Sequence, residues 1–149
     1  MAPARGSSST SLVTPDEVNE FARRDFPGNA SVCEEVGPGW ARVTLQVGRD
    51  QLRPGAIIGG PTIFGICDVA LYYACFTAIG IEPMTVTSGL SIHFLRPATG
   101  PLLHARADLA SVGRRNLCGN IVAWTDAPSA PVAIAQGVYV RPPARAAKG

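Results

Sequence analysis

The chain is 149 residues long, 46% apolar and 16% charged, with a formal net charge of +2. That length suits one domain with a sizeable core. A charge so near zero, with Lys148 the one lysine and no basic run, excludes a phosphate-tracking surface for nucleic acid.

Residues 1–13 are rich in serine, lack the apolar run of a signal peptide, and are expected to form a disordered tail. One cytoplasmic domain is expected over residues 14–141, followed by a second tail at 142–149. Thr14-Pro15-Asp16-Glu17 is a capping box, with Thr at the N-cap, Pro next and Glu three residues on. Val18, Phe21, Ala22 and Phe26 then form a helical stripe that Pro27-Gly28 stops. Two strands follow, 31–36 and 40–47, turned by Gly37-Pro38-Gly39. The second alternates Ala41, Val43, Leu45 and Val47 against Trp40, Arg42, Thr44 and Gln46. Residues 48–58, with Arg53-Pro54-Gly55, are expected to be a loop.

From Gly59 to Gly80 the sequence predicts one long helix, Gly60 at its N-cap, Pro61 at its first position and Gly80 at its close. Apolar residues fall on every side of it, so it either spans a membrane or is wrapped by the rest of the chain. Its length is marginal for a span, no basic flank marks either end, and Asp68 near the middle would cost about 2.5–3.5 kcal/mol in a bilayer. A wrapped core helix is therefore expected. After Pro83 the pattern is strand and turn only: 85–96, 102–112, 116–126 and 132–140. Short connections favour antiparallel neighbours. The fold class is α+β: a curved antiparallel sheet of about six strands around one long central helix.

Asp68 is the one side chain of that helix ionisable near neutral pH, and an apolar setting makes it costly unless something uses it. Cys33, Cys67, Cys75 and Cys118 show neither C-x-x-C nor metal-ligand spacing, so reduced buried thiols are expected. No Gly-x-Ser-x-Gly elbow or Cys–His pairing points to a covalent serine or cysteine hydrolase. His93 and His104 read as exposed or hydrogen-bonded sheet histidines.

Three stretches together resemble the hot-dog-fold acyl-CoA thioesterases of the phenylacetate-pathway type. They are Gly59-Gly60-Pro61 leading to Asp68-Val69-Ala70, Leu90-Ser91-Ile92-His93-Phe94-Leu95-Arg96-Pro97-Ala98, and Gly113-Arg114-Arg115. The resemblance covers about residues 30–141. It implies Asp68 as the catalytic carboxylate, the Gly60 N–H as the donor that polarises the thioester carbonyl, and Thr87 as a hydroxyl that helps position water. It also places Gly59, Pro61 and Arg53 beside the substrate. Family members usually open the helix with His-Gly-Gly, where this chain has Gly59 at the His position and Pro61 at the second Gly. Their loop asparagine is replaced here by Arg53.

The chemistry fits the residue types. Thioester hydrolysis needs a base or nucleophile and a donor for the developing oxyanion, and a helix N-terminus supplies free N–H groups with partial positive charge. Gly60 and Asp68 lie eight residues apart, about 12 Å along a helix at 1.5 Å per residue. One carbonyl cannot reach both within a chain, so joint action requires two antiparallel copies, a homodimer or homotetramer with sites at the interface.

Blander roles stand beside these: a structural hydrogen bond for Asp68, strand formation for Thr87, core packing for Tyr72, Tyr73 and Phe76. Arg114 and Arg115 are either a solvated hairpin tip or, with Arg96, contacts for coenzyme A phosphates. A hot-dog hydratase would carry His five residues after the Asp, and position 73 is Tyr. A non-catalytic acyl-CoA-binding module is the alternative to an enzyme. Neither a metal nor a redox cofactor is implied.

Overall fold

The computed structural model of the protein describes residues 10–143. Helix α1 runs Pro15–Asp25, opened by the capping box: the Glu17 N–H donates to Thr14 Oγ1 and the Thr14 N–H to a Glu17 carboxylate oxygen. Strands β1 (Val32–Gly37) and β2 (Trp40–Gln46) pair as a hairpin. Helix α2 spans Gly60–Ile79, and the chain then lays down β5 (Val86–Phe94), β6 (Leu102–Val112), β7 (Asn116–Trp124) and β8 (Ala133–Val140). Between β2 and α2 stand a two-residue ribbon, β3 (Leu52–Arg53) with β4 (Ile57–Ile58), and a single 3-10 turn at Arg49–Gln51.

Six strands form one antiparallel sheet in the order β1-β2-β6-β7-β8-β5, curved around α2. This is the hot-dog arrangement. Its inner face carries mostly small or branched side chains, among them Ala41, Val43, Ala105, Ala107, Ile121 and Ala135, all buried. Small residues let the helix approach closely. At one point the floor is bare glycine: a Cβ at Gly119 would stand 2.6 Å from Leu71 Cδ1, and one at Gly137 would stand 2.8 Å from Leu71 Cδ2. Leu71 therefore seats in a notch that only glycines leave open. Helix α1 covers the outer face of the second half of α2, with Phe21 edge-on to Phe76 at 5.4 Å and Phe26 edge-on to Tyr72 at 6.0 Å. Sheet below and α1 above explain why α2 is apolar all round; it is the core helix.

Several boundaries move. The α2 N-cap is Gly59, in extended backbone (φ −68°, ψ 150°), so Gly60 is the first helical residue and Pro61 the second, one position earlier than the sequence predicts. The Gly59 carbonyl already accepts from the N–H groups of Thr62 and Ile63. Pro61 still loses nothing, because the second N–H of a helix has no intrahelical acceptor either. Gly80 does close the helix, at φ 83°. The expected loop at 48–58 is in part ordered by the ribbon, whose turn puts Gly55 and Ala56 at positive φ. Order also reaches further towards the N-terminus than the expected tail: the Leu12 N–H donates to the Thr77 carbonyl, and Val13 is buried. Residues 1–9 and 144–149, the remainder of the two expected tails, lie outside the described residues.

Candidate active site

Asp68 sits two turns into α2 and is half-buried. Its Oδ1 accepts two hydroxyls, Thr87 Oγ1 at 2.9 Å and the Tyr139 phenol at 2.7 Å; the phenol also lies 3.1 Å from the Asp68 carbonyl. Thr87 and Tyr139 are directly paired residues of β5 and β8. One rung of the sheet therefore presents both donors to one carboxylate oxygen.

A bulge puts Thr87 on that rung. Pairing between β5 and β8 shifts register between Thr87 and Gly89, leaving Ser88 unpaired. Leu90 and Ile92 pack against the core, so strict alternation would turn the odd-numbered Thr87 outward. The extra residue resets the parity, and Thr87 shares the inner face with Leu90 and Ile92. Tyr139 needs no such device. It is buried among the core residues and stacks on Tyr72 at 5.5 Å. Burial, followed by the neighbouring Asp68 charge, pushes its hydroxyl well above the ordinary tyrosine range, so the phenol remains a donor.

Gly60 lies at the other end of β5. Its N–H makes no hydrogen bond to a described residue, as expected of the first turn of a helix. The Phe94 ring stands over it, 3.3 Å from where a Cβ would be. A groove of about 490 Å³ opens there, lined by Gly60, Arg53, Arg96, Ile57, Ile63 and Phe94. A second groove of about 370 Å³ runs along the outer face of the first half of α2, past Thr62, Gly65 and Val69 to Asn29 and Gln51.

The residues expected in the site thus fall into two groups within one chain. Asp68 and Thr87 are hydrogen-bonded. Gly60, Arg53 and Arg96 share a groove. The Gly113-Arg114-Arg115 turn belongs to the Asp68 end: Asn116, the next residue, pairs with Val140, which pairs with Val86 beside Thr87. Gly113 closes that turn by donating to the Asn116 carbonyl, and the Arg115 guanidinium donates to the Arg141 carbonyl at 3.0 Å. Gly59 and Pro61 serve the helix start. The Gly59 N–H donates to the Gln51 carbonyl, and neither residue takes part in the groove lining at Gly60.

A sequence profile of the thioesterase superfamily matches residues 56–131, a stretch that holds α2, β5, β6 and β7 whole. The chain belongs to the thioesterase superfamily. It is a thioester hydrolase by that membership. Among solved structures, a Silicibacter protein assigned as a thioesterase is 27% identical, with a TM-score of 0.81 over 91% of this chain and 96% of that one. The PaaI protein of the Escherichia coli phenylacetic acid degradation operon has the same fold at 23% identity (TM-score 0.70, 87% and 96% covered). So has zebrafish thioesterase superfamily member 2, at 17% identity (TM-score 0.75, 87% and 99% covered). No curated protein matches the chain by sequence.

Two residues of this thioesterase's candidate site carry no signal in the sequence. Tyr139 follows Ala133, Ala135 and Gly137 on one strand face, a pattern that marks burial and says nothing of a hydroxyl's partner. Phe94 is half-exposed and sits beyond the core stripe, so no periodicity singles it out. Conversely, Tyr72, Tyr73 and Phe76 are core residues and line neither groove: Tyr72 donates to the Pro83 carbonyl, and Tyr73 accepts from Asn29. His104 is bonded to Thr44 Oγ1 and stacked on Trp124 on the outer face of the sheet, and His93 is exposed. Cys33, Cys67 and Cys75 are buried, free thiols that burial pushes up to about 12, unfit as nucleophiles; Cys118 is half-buried and free.

Proposed function

We propose that this thioesterase hydrolyses acyl-CoA thioesters at sites shared between two copies of the chain, each site pairing Asp68 of one protomer with the Gly60 N–H of the other. The observation that carries the proposal is the split just described. A half-buried carboxylate with an oriented oxygen stands about 12 Å along one helix from a helix-start N–H that no described residue uses. Two α2 helices side by side and antiparallel would bring the two groups to one carbonyl. Strand β5 supports such pairing. Among the described residues it is the edge of the sheet, nine residues long, and it exposes Val86 and Phe94 with its backbone edge unpaired.

In that arrangement the Gly60 N–H, unobstructed by a side chain and at the positive end of α2, stabilises the oxyanion of the tetrahedral intermediate. Asp68 either activates water for attack on the carbonyl, or attacks the carbonyl itself to expel the coenzyme A thiolate and form an anhydride that water then opens; in both cases Thr87 orders that water. Arg53 and Arg96 from the Gly60 side, and Arg114 and Arg115 from the Asp68 side, would supply cations to the coenzyme A phosphates. The groove past Gly65 and Val69 has room for a compact acyl group. No metal or redox cofactor enters this chemistry, and unpaired cysteines accord with a cytoplasmic enzyme.

Free thiol released from a panel of acyl-CoAs, for wild type and Asp68→Ala, tests the proposal. Turnover in wild type that Asp68→Ala abolishes is the expected result. Binding without turnover in both proteins would instead make the chain an acyl-CoA-binding module.

A further inference from the structure

We propose that Tyr139 is a positioning residue which, together with Thr87, commits Asp68 Oδ1 to hydrogen bonds and leaves Oδ2 as the oxygen that reacts. The inference rests on hydrolysis at Asp68 and adds which atom acts and what holds it. Both hydroxyls converge on Oδ1, at 2.7 and 2.9 Å, whereas Oδ2 takes no hydrogen bond from a described residue. A carboxylate with one oxygen pinned cannot rotate about its Cβ–Cγ bond without losing both bonds, which are stronger to a charged acceptor than to a neutral one.

The two donors differ in kind. Thr87 is exposed on the edge strand and is free to meet substrate or water. Tyr139 is 3% exposed, and its ring is fixed between α2 and the sheet by the stack on Tyr72, so it reaches Asp68 Oδ1 from the core side. A donor locked in this way fixes the orientation of the carboxylate. The titratable neighbours of Asp68 are Tyr139 on β8 and Cys67 on α2, both held in their neutral forms by burial.

The test compares wild type, Tyr139→Phe, Thr87→Val, Thr87→Ser and Asp68→Asn by steady-state kinetics at neutral pH. It adds the carboxyl 13C resonance of Asp68, which is sensitive to hydrogen bonds at that group and is assigned by its loss in Asp68→Asn. Tyr139→Phe keeps the ring and its stack. It is expected to lower kcat roughly 10- to 100-fold with KM within about twofold. The Asp68 carboxyl resonance should move at the same time. Thr87→Val should give a smaller shift in the same direction, and Thr87→Ser should bring the resonance back towards its wild-type position. These variants read out the shared oxygen even if Tyr139→Phe folds poorly. An Asp68 resonance unmoved in both Tyr139→Phe and Thr87→Val would overturn the proposal. A fully active Asp68→Asn would refute hydrolysis at Asp68 itself, and the 13C resonance would still report on the hydrogen bonds.

Discussion

In the proposed chemistry Gly60 contributes a backbone N–H and no side chain, and a backbone N–H can be deleted only with proline. The helix start can take one. Gly59 before it is already extended, which a residue preceding proline favours, and the first helical position needs no N–H for the helix itself; the cost is helical backbone at residue 60 before Pro61, which glycine bears more easily than proline. Gly60→Pro should therefore fold, with the Phe94 ring shifting by a few tenths of an ångström, and lose about 10²–10³ in kcat, the loss typical of one oxyanion donor. Thermal melting and thiol release together check this. Asp68 was legible in the sequence because one carboxylate in a helix apolar on all sides is costly. Tyr139 was not, because a buried aromatic on an inward strand position looks the same whether or not its hydroxyl serves a neighbour.

A second residue-scale expectation concerns pH and stability. Burial, and then the charge of Arg42, hold the His104 imidazole below its ordinary value of 6.5 in the folded protein. As pH falls through 6.5 the unfolded chain therefore takes up the proton before the folded one does. The stability His104 contributes is present in full above 6.5 and lost progressively below it. Urea midpoints between pH 5 and 8 should fall on the acid side in wild type and fall less steeply in His104→Gln.

At the scale of elements, α2 is held by shape on one face and left open on the other. Beneath it, Gly119 is the floor on which Leu71 rests, and the Asp108 carbonyl stands 3.0 Å from where a Cβ would go. Gly119→Ala should cost about 1–3 kcal/mol through overpacking, read as a lower urea midpoint with unchanged secondary structure. On the outer face Gly65 has nothing within 4 Å of a Cβ position, though it sits mid-helix where glycine costs about 1 kcal/mol against alanine. Gly65→Ala should raise the melting temperature, whereas Gly65→Leu should raise KM by filling the groove it lines. The strands were legible because they alternate. Two features were not. The β3–β4 ribbon has only two residues a side, too few for any period to register. The bulge at Ser88 breaks the alternation that would have told which way Thr87 faces, so its place in the site came from family resemblance alone.

The whole molecule poses the largest question, since one chain keeps its carboxylate and its free N–H about 12 Å apart on a rigid helix. Neither group can be moved to the other without unwinding the core. The open edge of β5 and the two groups of arginines, one at each end, fit a two-fold pair with two equal sites. The expectation of a partner comes from helix geometry alone, with no strand needed; the surface proposed to meet it follows only from β5 being the sheet edge among the described residues.

Subunit complementation tests this most directly. Asp68→Asn and Gly60→Pro, each inactive alone, are unfolded together at equal concentration and refolded. Random pairing makes half the dimers mixed, each with one site wholly wild type and one doubly defective, so about a quarter of wild-type activity should return if sites are shared. Activity no greater than that of the two variants assayed separately would place both groups of each site in one chain and contradict the account.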